Sequence, residues 1–276
     1  MTSAPATTDR YAHRFGQLAQ EGRAAFIPFT LLGWPTVETS RQILEALMAG
    51  GADALELGLP FSDPMADGPV LQQAATEALA AGARVDDAFA LIAEVRAQDK
   101  QVPIGLMAYY NMILARGADR FCADAAAAGV DAILVPDLPP ETAGELAPAI
   151  NAHGLSLAFI VSPLTDDARL DALLPMAGGF LYIVSRLGVT GVEARYDTAL
   201  QALAQRVKAK SSLPACIGFG ISTPADVRQM TALGADGVIT GSAVIQRARE
   251  SMVERPDHWQ ADLQAYIRTM ADAVRL

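Results

Sequence analysis

Apolar residues in this chain gather into short continuous runs, separated by longer stretches in which they recur every three or four positions. A short run bounded by turn residues reads as a strand buried on both faces, and the wider spacing reads as an amphipathic helix. Runs of the first kind are Ala25–Phe29, Ala54–Leu57, Val102–Leu106, Ala132–Ile133, Leu155–Val161, Phe180–Val184, Leu213–Ile217 and the segment beginning Gly237-Val238. Alanine-rich helical patterns lie between them, for example Thr39–Ala49, Val85–Ala97 and Ala225–Leu233. One junction recurs three times, as Ala49-Gly50-Gly51-Ala52-Asp53-Ala54-Leu55, Ala127-Ala128-Gly129-Val130-Asp131-Ala132-Ile133 and Ala232-Leu233-Gly234-Ala235-Asp236-Gly237-Val238. The glycine suits the left-handed residue that ends a helix, and the aliphatic run after the aspartate opens a strand. Pro103 and Pro214 announce two further strands, at a position where the missing N–H is tolerated.

Eight alternations of strand and helix in a 276-residue chain match one (β/α)₈ barrel of the TIM type, with a doubly wound open sheet as the alternative. The predicted domain spans residues 10–276, with an extra N-terminal helix and a short phosphate-binding helix after the eighth strand. Residues 1–9 are expected to be a disordered tail. In a barrel, the C-terminal ends of the strands and the loops after them face the active site, and the opposite end serves stability.

The pattern has one conspicuous interruption. Glu56 stands between Leu55 and Leu57, inside a strand that ought to be apolar, and Asp63 and Asp67 follow in the next loop. An ionised carboxylate removed from water is costly unless it is paired or neutralised. The plain readings are a buried ion pair with an arginine for Glu56 and turn formation for Asp63-Pro64 and Asp67-Gly68.

Composition narrows the chemistry. With 21 basic and 31 acidic residues the net charge is −10, which offers no surplus for a nucleic-acid backbone or an anionic membrane. The opening residues lack a basic stretch followed by an apolar one, and no run approaches the roughly 18 apolar residues of a membrane span, so a soluble, cytoplasmic protein is expected. Cys122 and Cys216 fall in helical and apolar patterns and read as packed thiols. The three lysines, Lys100, Lys208 and Lys210, all precede strands, so no Schiff-base nucleophile stands on the catalytic side. His13, His153 and His258 are likewise away from strand ends, so a metal site is not expected. Glu56, Asp63, Asp67, Asp137, Tyr109 and Tyr182 remain for proton transfer.

Glycine supplies the other clue. Gly218-Phe219-Gly220-Ile221-Ser222 follows the seventh strand and Thr240-Gly241-Ser242-Ala243-Val244 the eighth. Both could be tight turns, but these two loops commonly form the phosphate site of a barrel, where backbone amides at a helix N-terminus hold an anion. A third segment, Ser185–Glu193, follows the sixth strand and could close over a ligand as a lid.

Taken together, Leu55–Pro69, Ser185–Gly191 and Gly218–Ile221 resemble the tryptophan synthase alpha subunit family, a likeness that runs from about Tyr11 past Val244. The resemblance implies retro-aldol cleavage of indole-3-glycerol phosphate to indole and glyceraldehyde 3-phosphate by a lyase of tryptophan biosynthesis. It implies Glu56 as general acid–base at ring carbon 3 and the side-chain hydroxyl, and Asp67 as acceptor of the ring N–H. Phe29, Tyr109, Leu134, Ile160, Tyr182 and Phe219 match the indole pocket; Gly191, Gly220, Gly241 and Ser242 match the phosphate site. Arg186 and Thr190 fall in the lid, with Thr190 matching the residue that holds a catalytic carboxylate. Pro60, Asp63 and Asn111 fall where the family meets a pyridoxal-phosphate (PLP) beta subunit in an alpha2-beta2 heterotetramer. No cofactor is implied in this chain. Leu187, Trp34 and Pro136 depart from the commonest family pattern. Three rivals stay open: another phosphosugar barrel, a non-catalytic activator of a beta-type enzyme, and a lyase that releases indole without a partner.

Overall fold

The computed structural model describes residues 9–184 and 193–275, and of residues 193–196 only the backbone. Helix α1 (Arg10–Gln20) precedes β1 (Ala25–Leu31), α2 (Val37–Gly50), β2 (Leu55–Gly58), α3 (Pro69–Ala80) and α4 (Val85–Gln98). Then come β3 (Ile104–Met107), α5 (Tyr110–Arg116), α6 (Ala118–Ala128), β4 (Ala132–Leu134), α7 (Ala147–Ala152), β5 (Ser156–Val161) and α8 (Asp167–Leu173). The chain continues through β6 (Leu181–Val184), α9 (Glu193–Lys210), β7 (Ala215–Gly218), α10 (Pro224–Ala232), β8 (Gly237–Thr240), α11 (Ser242–Glu254) and α12 (Trp259–Asp272). The strands are parallel and form a closed barrel in sequence order, β8 pairing with both β7 and β1. Closure removes the edges that an open sheet would leave, so the barrel reading holds.

Local chemistry sets the helix ends. Thr36 accepts from the Thr39 amide at the start of α2, and α10 opens on a capping box between Thr223 and Asp226. Along α2 the residues Ile43, Leu44 and Leu47 are buried, the spacing of a single helix face. Gly51, Gly129 and Gly234, the recurring junction glycines, all have φ near +100°, at 100°, 100° and 97°.

The aspartate of that junction has a role that its sequence did not announce. The Phe26 amide donates to Asp53 Oδ2 at 2.9 Å, the Ile104 amide to Asp131 Oδ2 at 2.8 Å and the Ala215 amide to Asp236 Oδ2 at 2.9 Å. Each aspartate's own N–H donates back to the carbonyl of the same residue. These two-point clamps join the starts of β2, β4 and β8 to the strand before each. Cations offset the buried charge: Arg14 and Arg23 on Asp53, Arg10 and Arg96 on Asp131, and Lys208 on Asp236. Helix α1 closes the same end of the barrel, with Tyr11, Phe15 and Leu18 buried and the Tyr11 ring stacked 5.3 Å from Phe180.

Two boundaries differ from expectation. Asp9, assigned to the tail, accepts from the Ala12 amide at 3.0 Å and is the N-cap of α1. The helix after β8 runs for 13 residues rather than being short, because Val244, Ile245 and Ala248 continue a buried face beyond the first turn. Cys122 and Cys216 are buried free thiols. Among the described residues no helix is long and apolar enough to cross a membrane.

Candidate active site

Successive residues of a strand face opposite ways, so Leu55 and Leu57 point to the helices and Glu56 into the barrel. Its side chain reaches the floor of a cavity at the C-terminal end of the strands. Glu56 is 2% exposed, and its Oε1 has no hydrogen-bond partner among the described residues. No arginine pairs with it there, so the ion-pair reading has no support. Burial, and secondarily the charge of Asp67, push its pKa up to about 8. At neutral pH Glu56 is therefore a neutral acid with a proton to give.

Asp67 occupies the loop between β2 and α3, one residue before the Gly68 N-cap. Partial burial pushes its pKa up to about 6, against a hydrogen bond from Tyr109 that lowers it, so at neutral pH it is mostly ionised. The Tyr109 hydroxyl donates to Asp67 Oδ2 at 3.0 Å and accepts from the Ala66 amide at 3.0 Å. Its ring, 1% exposed, stacks 4.9 Å from Phe61. Tyr109, expected from sequence to line the cavity, is not among its walls; it stands behind the loop and holds it. It lies two residues after β3, at the N-cap of α5, where the chain turns away from the strand.

The cavity, of about 250 Å³, brings together Phe29, Leu134, Ile160, Tyr182 and Phe219 with both carboxylates. Two glycines make room for the Phe29 ring: a Cβ at Gly58 would lie 2.7 Å from Phe29 Cζ, and one at Gly241 would lie 3.2 Å from its Cδ1. Tyr182 stays protonated, its pKa raised well above the ordinary value by burial and then by Glu56 and Asp67. Ile160 and Phe219 are 38% and 44% exposed, apolar surface open to the cavity instead of the core. Phe219 also takes φ 86°, a left-handed conformation costly for an aromatic residue, at its place in the cavity wall.

Sequence reasoning missed several walls. Met107 and Ile239 line the cavity from β3 and β8, and the alternation of those strands could have found them. Leu71 on α3 and Gln246 on α11 also line it, Gln246 one turn beyond Ser242. Pro136, noted only as a departure, is a wall residue as well.

Gly220, Gly241 and Ser242 meet at one end of the cavity, where α11 begins without a side-chain cap. Gly191, Arg186 and Thr190 lie outside the described residues, as does Leu187. Pro60 is buried, while Asp63 and Asn111 are exposed, the latter on α5. Asp137 accepts from the Tyr110 amide at 2.9 Å and so caps α5 rather than entering the cavity. Among the described residues no group of three or more His, Cys, Asp or Glu could hold a metal ion.

A parallel barrel with a neutral carboxylic acid and an ionised carboxylate in one apolar cavity, beside uncapped helix amides, defines an acid–base enzyme of the phosphate-binding barrel class. The family model of the tryptophan synthase alpha chain matches residues 15–275. This chain belongs to that family, whose members are lyases acting on indole-3-glycerol phosphate. A tryptophan synthase alpha chain of Methanoregula boonei is 45% identical over 255 residues, 92% of this chain and 96% of its own. One from Phenylobacterium zucineum is 43% identical over 270 residues, 98% of this chain and 97% of its own. The crystal structure of tryptophan synthase subunit alpha from Legionella pneumophila superposes with a TM-score of 0.88 at 34% identity, covering 97% of this chain and 99% of that one.

Proposed function

We propose that Glu56 and Asp67 divide the work of cleaving indole-3-glycerol phosphate to indole and glyceraldehyde 3-phosphate. Glu56 gives its proton to ring carbon 3, which leaves positive charge on the ring nitrogen. Asp67 accepts the hydrogen bond of that N–H and favours the charge. Glu56, now a carboxylate, takes the proton of the side-chain hydroxyl attached to the breaking bond. The hydroxyl carbon becomes the aldehyde, the carbon–carbon electron pair returns to the ring, and indole regains aromaticity. The indole ring serves as its own electron sink, so this route calls on no imine or metal in the chain.

The carrying observation is the unlike acidity of the two groups, about 8 for Glu56 and about 6 for Asp67. It supports one acid and one anion between those values, hence a bell-shaped kcat/KM that rises as Asp67 ionises and falls as Glu56 loses its proton. Phe29, Leu134, Ile160, Tyr182 and Phe219 are assigned to the indole ring, and Gly220, Gly241 and Ser242, with Gly191, to the phosphate. Arg186 and Thr190 are assigned to a lid. Pro60, Asp63 and Asn111 are assigned to contact with a PLP-bearing beta subunit in an alpha2-beta2 heterotetramer, to which indole passes in the cytoplasm. The test is indole production from indole-3-glycerol phosphate by the purified chain, with and without a beta subunit. No indole in either arm overturns the assignment, and an equal rate in both arms removes the partner from it.

A further inference from the structure

The β2 and β8 units each carry two helices. The second of each, α4 and α12, joins the outer ring by packing on α2. The first of each, α3 and α11, pack on one another and on β1, and α11 packs on α12 as well. Both begin at the cavity. Asp67 lies two residues ahead of α3, whose first turn contributes Leu71, while Gly241 and Ser242 open α11 and Gln246 follows on its second turn. The separation of these two helices therefore sets the span between the Asp67 carboxylate and the amide end of the cavity.

Three side chains tie them together. Arg249 of α11 grips Glu77 of α3 with both ends of its fork, Nη1 to Oε1 at 2.7 Å and Nη2 to Oε2 at 3.0 Å. Trp34, in the turn after β1 and 1% exposed, donates its indole N–H to Glu77 Oε2 at 2.7 Å. The Arg249 guanidinium lies 5.4 Å from the Trp34 ring centroid. Gln73, one turn earlier on α3, adds a bond to Glu77 Oε1 at 3.0 Å. A bidentate fork and a single-donor indole are both directional, so together they admit little sliding of one helix along the other. Glu77 and Arg249 are about one-third exposed, at 35% and 31%, where an ion pair adds little to stability. Geometry is what such a cluster supplies.

We propose that Trp34, Glu77 and Arg249 are positioning residues for the cleavage reaction, holding α3 and α11 at the separation that lets one substrate reach Asp67 and the phosphate end together. The proposal rests on the function assigned above. It is tested on the full chain with Trp34→Phe, Glu77→Gln and Arg249→Lys, the last keeping the charge but losing the fork. Two measurements are made on each: steady-state cleavage of indole-3-glycerol phosphate, and binding of inorganic phosphate by calorimetry. A substrate that spans both ends senses the separation, and free phosphate touches one end only. The expected result is a loss of kcat/KM of about tenfold in Arg249→Lys and Trp34→Phe, with phosphate affinity and melting temperature near wild type. Unchanged kcat/KM in the folded variants overturns the proposal. So does a parallel loss of phosphate affinity and melting temperature, which marks a merely structural role. Wild-type chain that fails to cleave the substrate both with and without a beta subunit sinks the assigned function as well, whereas active wild type with equally active variants sinks the positioning role alone.

Discussion

Replacing Glu56 with glutamine should make the protein more stable and inactive at once. In the folded chain the Glu56 pKa stands at about 8 against an ordinary 4.5. Between those values the folded state keeps a proton that the unfolded state has lost, so stability falls as pH rises through the window. Each pH step above 4.5 costs about 1.36 kcal/mol, giving about 3 kcal/mol at pH 7 and a plateau above about pH 8. Glutamine has nearly the same shape and never ionises, so Glu56→Gln should recover about 3 kcal/mol at pH 7 and almost nothing near pH 4.5. For a chain of this size that corresponds to a rise in melting temperature of roughly 5 to 10 °C at neutral pH. The assay pairs urea denaturation at the two pH values with an indole-production assay, in which the variant should lose more than about 100-fold in kcat. Two results refute the reasoning. A stability gain equal at both pH values means that a desolvated carboxylate is not its source. Turnover near wild type means that Glu56 does not carry the proton.

Asp67→Asn should lower kcat by about 100-fold, less than Glu56→Gln, because it removes charge stabilisation and leaves the proton carrier intact; an unchanged rate returns Asp67 to the role of turn former. Tyr109→Phe removes the hydrogen bond that holds the Asp67 pKa down, so the acid limb of the kcat/KM profile should move to higher pH while the alkaline limb, set by Glu56, stays in place. A Cβ at Gly218 would lie 2.6 Å from Tyr182 Cζ, so Gly218→Ala should push that ring into the cavity and raise KM for the substrate by about tenfold or more; wild-type KM would show that the ring has room to retreat.

Much of the frame was legible because strand and helix periods are local properties. The doubly buried strands and the glycine junctions appeared as patterns within a few residues of one another, and they led to eight strands in sequence order. Glu56 stood out for the same reason, as a charge in an apolar run. Other site residues depended on which way a side chain leaves its element. Tyr109 carries the same ring whether it walls the cavity or braces a loop, and only the turn from β3 into α5 sends its hydroxyl to Asp67 and Ala66. A helix was expected after β8, but its length was not, because its buried face becomes apparent only when the strand and helix it packs on are known.

By itself, the sequence determined the class of chemistry. It carries a carboxylate where none belongs, no lysine or histidine at a strand end, and glycine loops after the last two strands. These are facts of residue type and spacing. The tertiary structure decided what no local pattern contains: the unlike acidities of Glu56 and Asp67, the clamps of Asp53, Asp131 and Asp236, and the meeting of Trp34, Glu77 and Arg249. The physical reason is common to all three. Desolvation and hydrogen-bond geometry depend on neighbours brought close by the closing of the barrel, and the partners in the clamps and in the Trp34–Glu77–Arg249 cluster lie from about 20 to more than 170 residues apart in the chain.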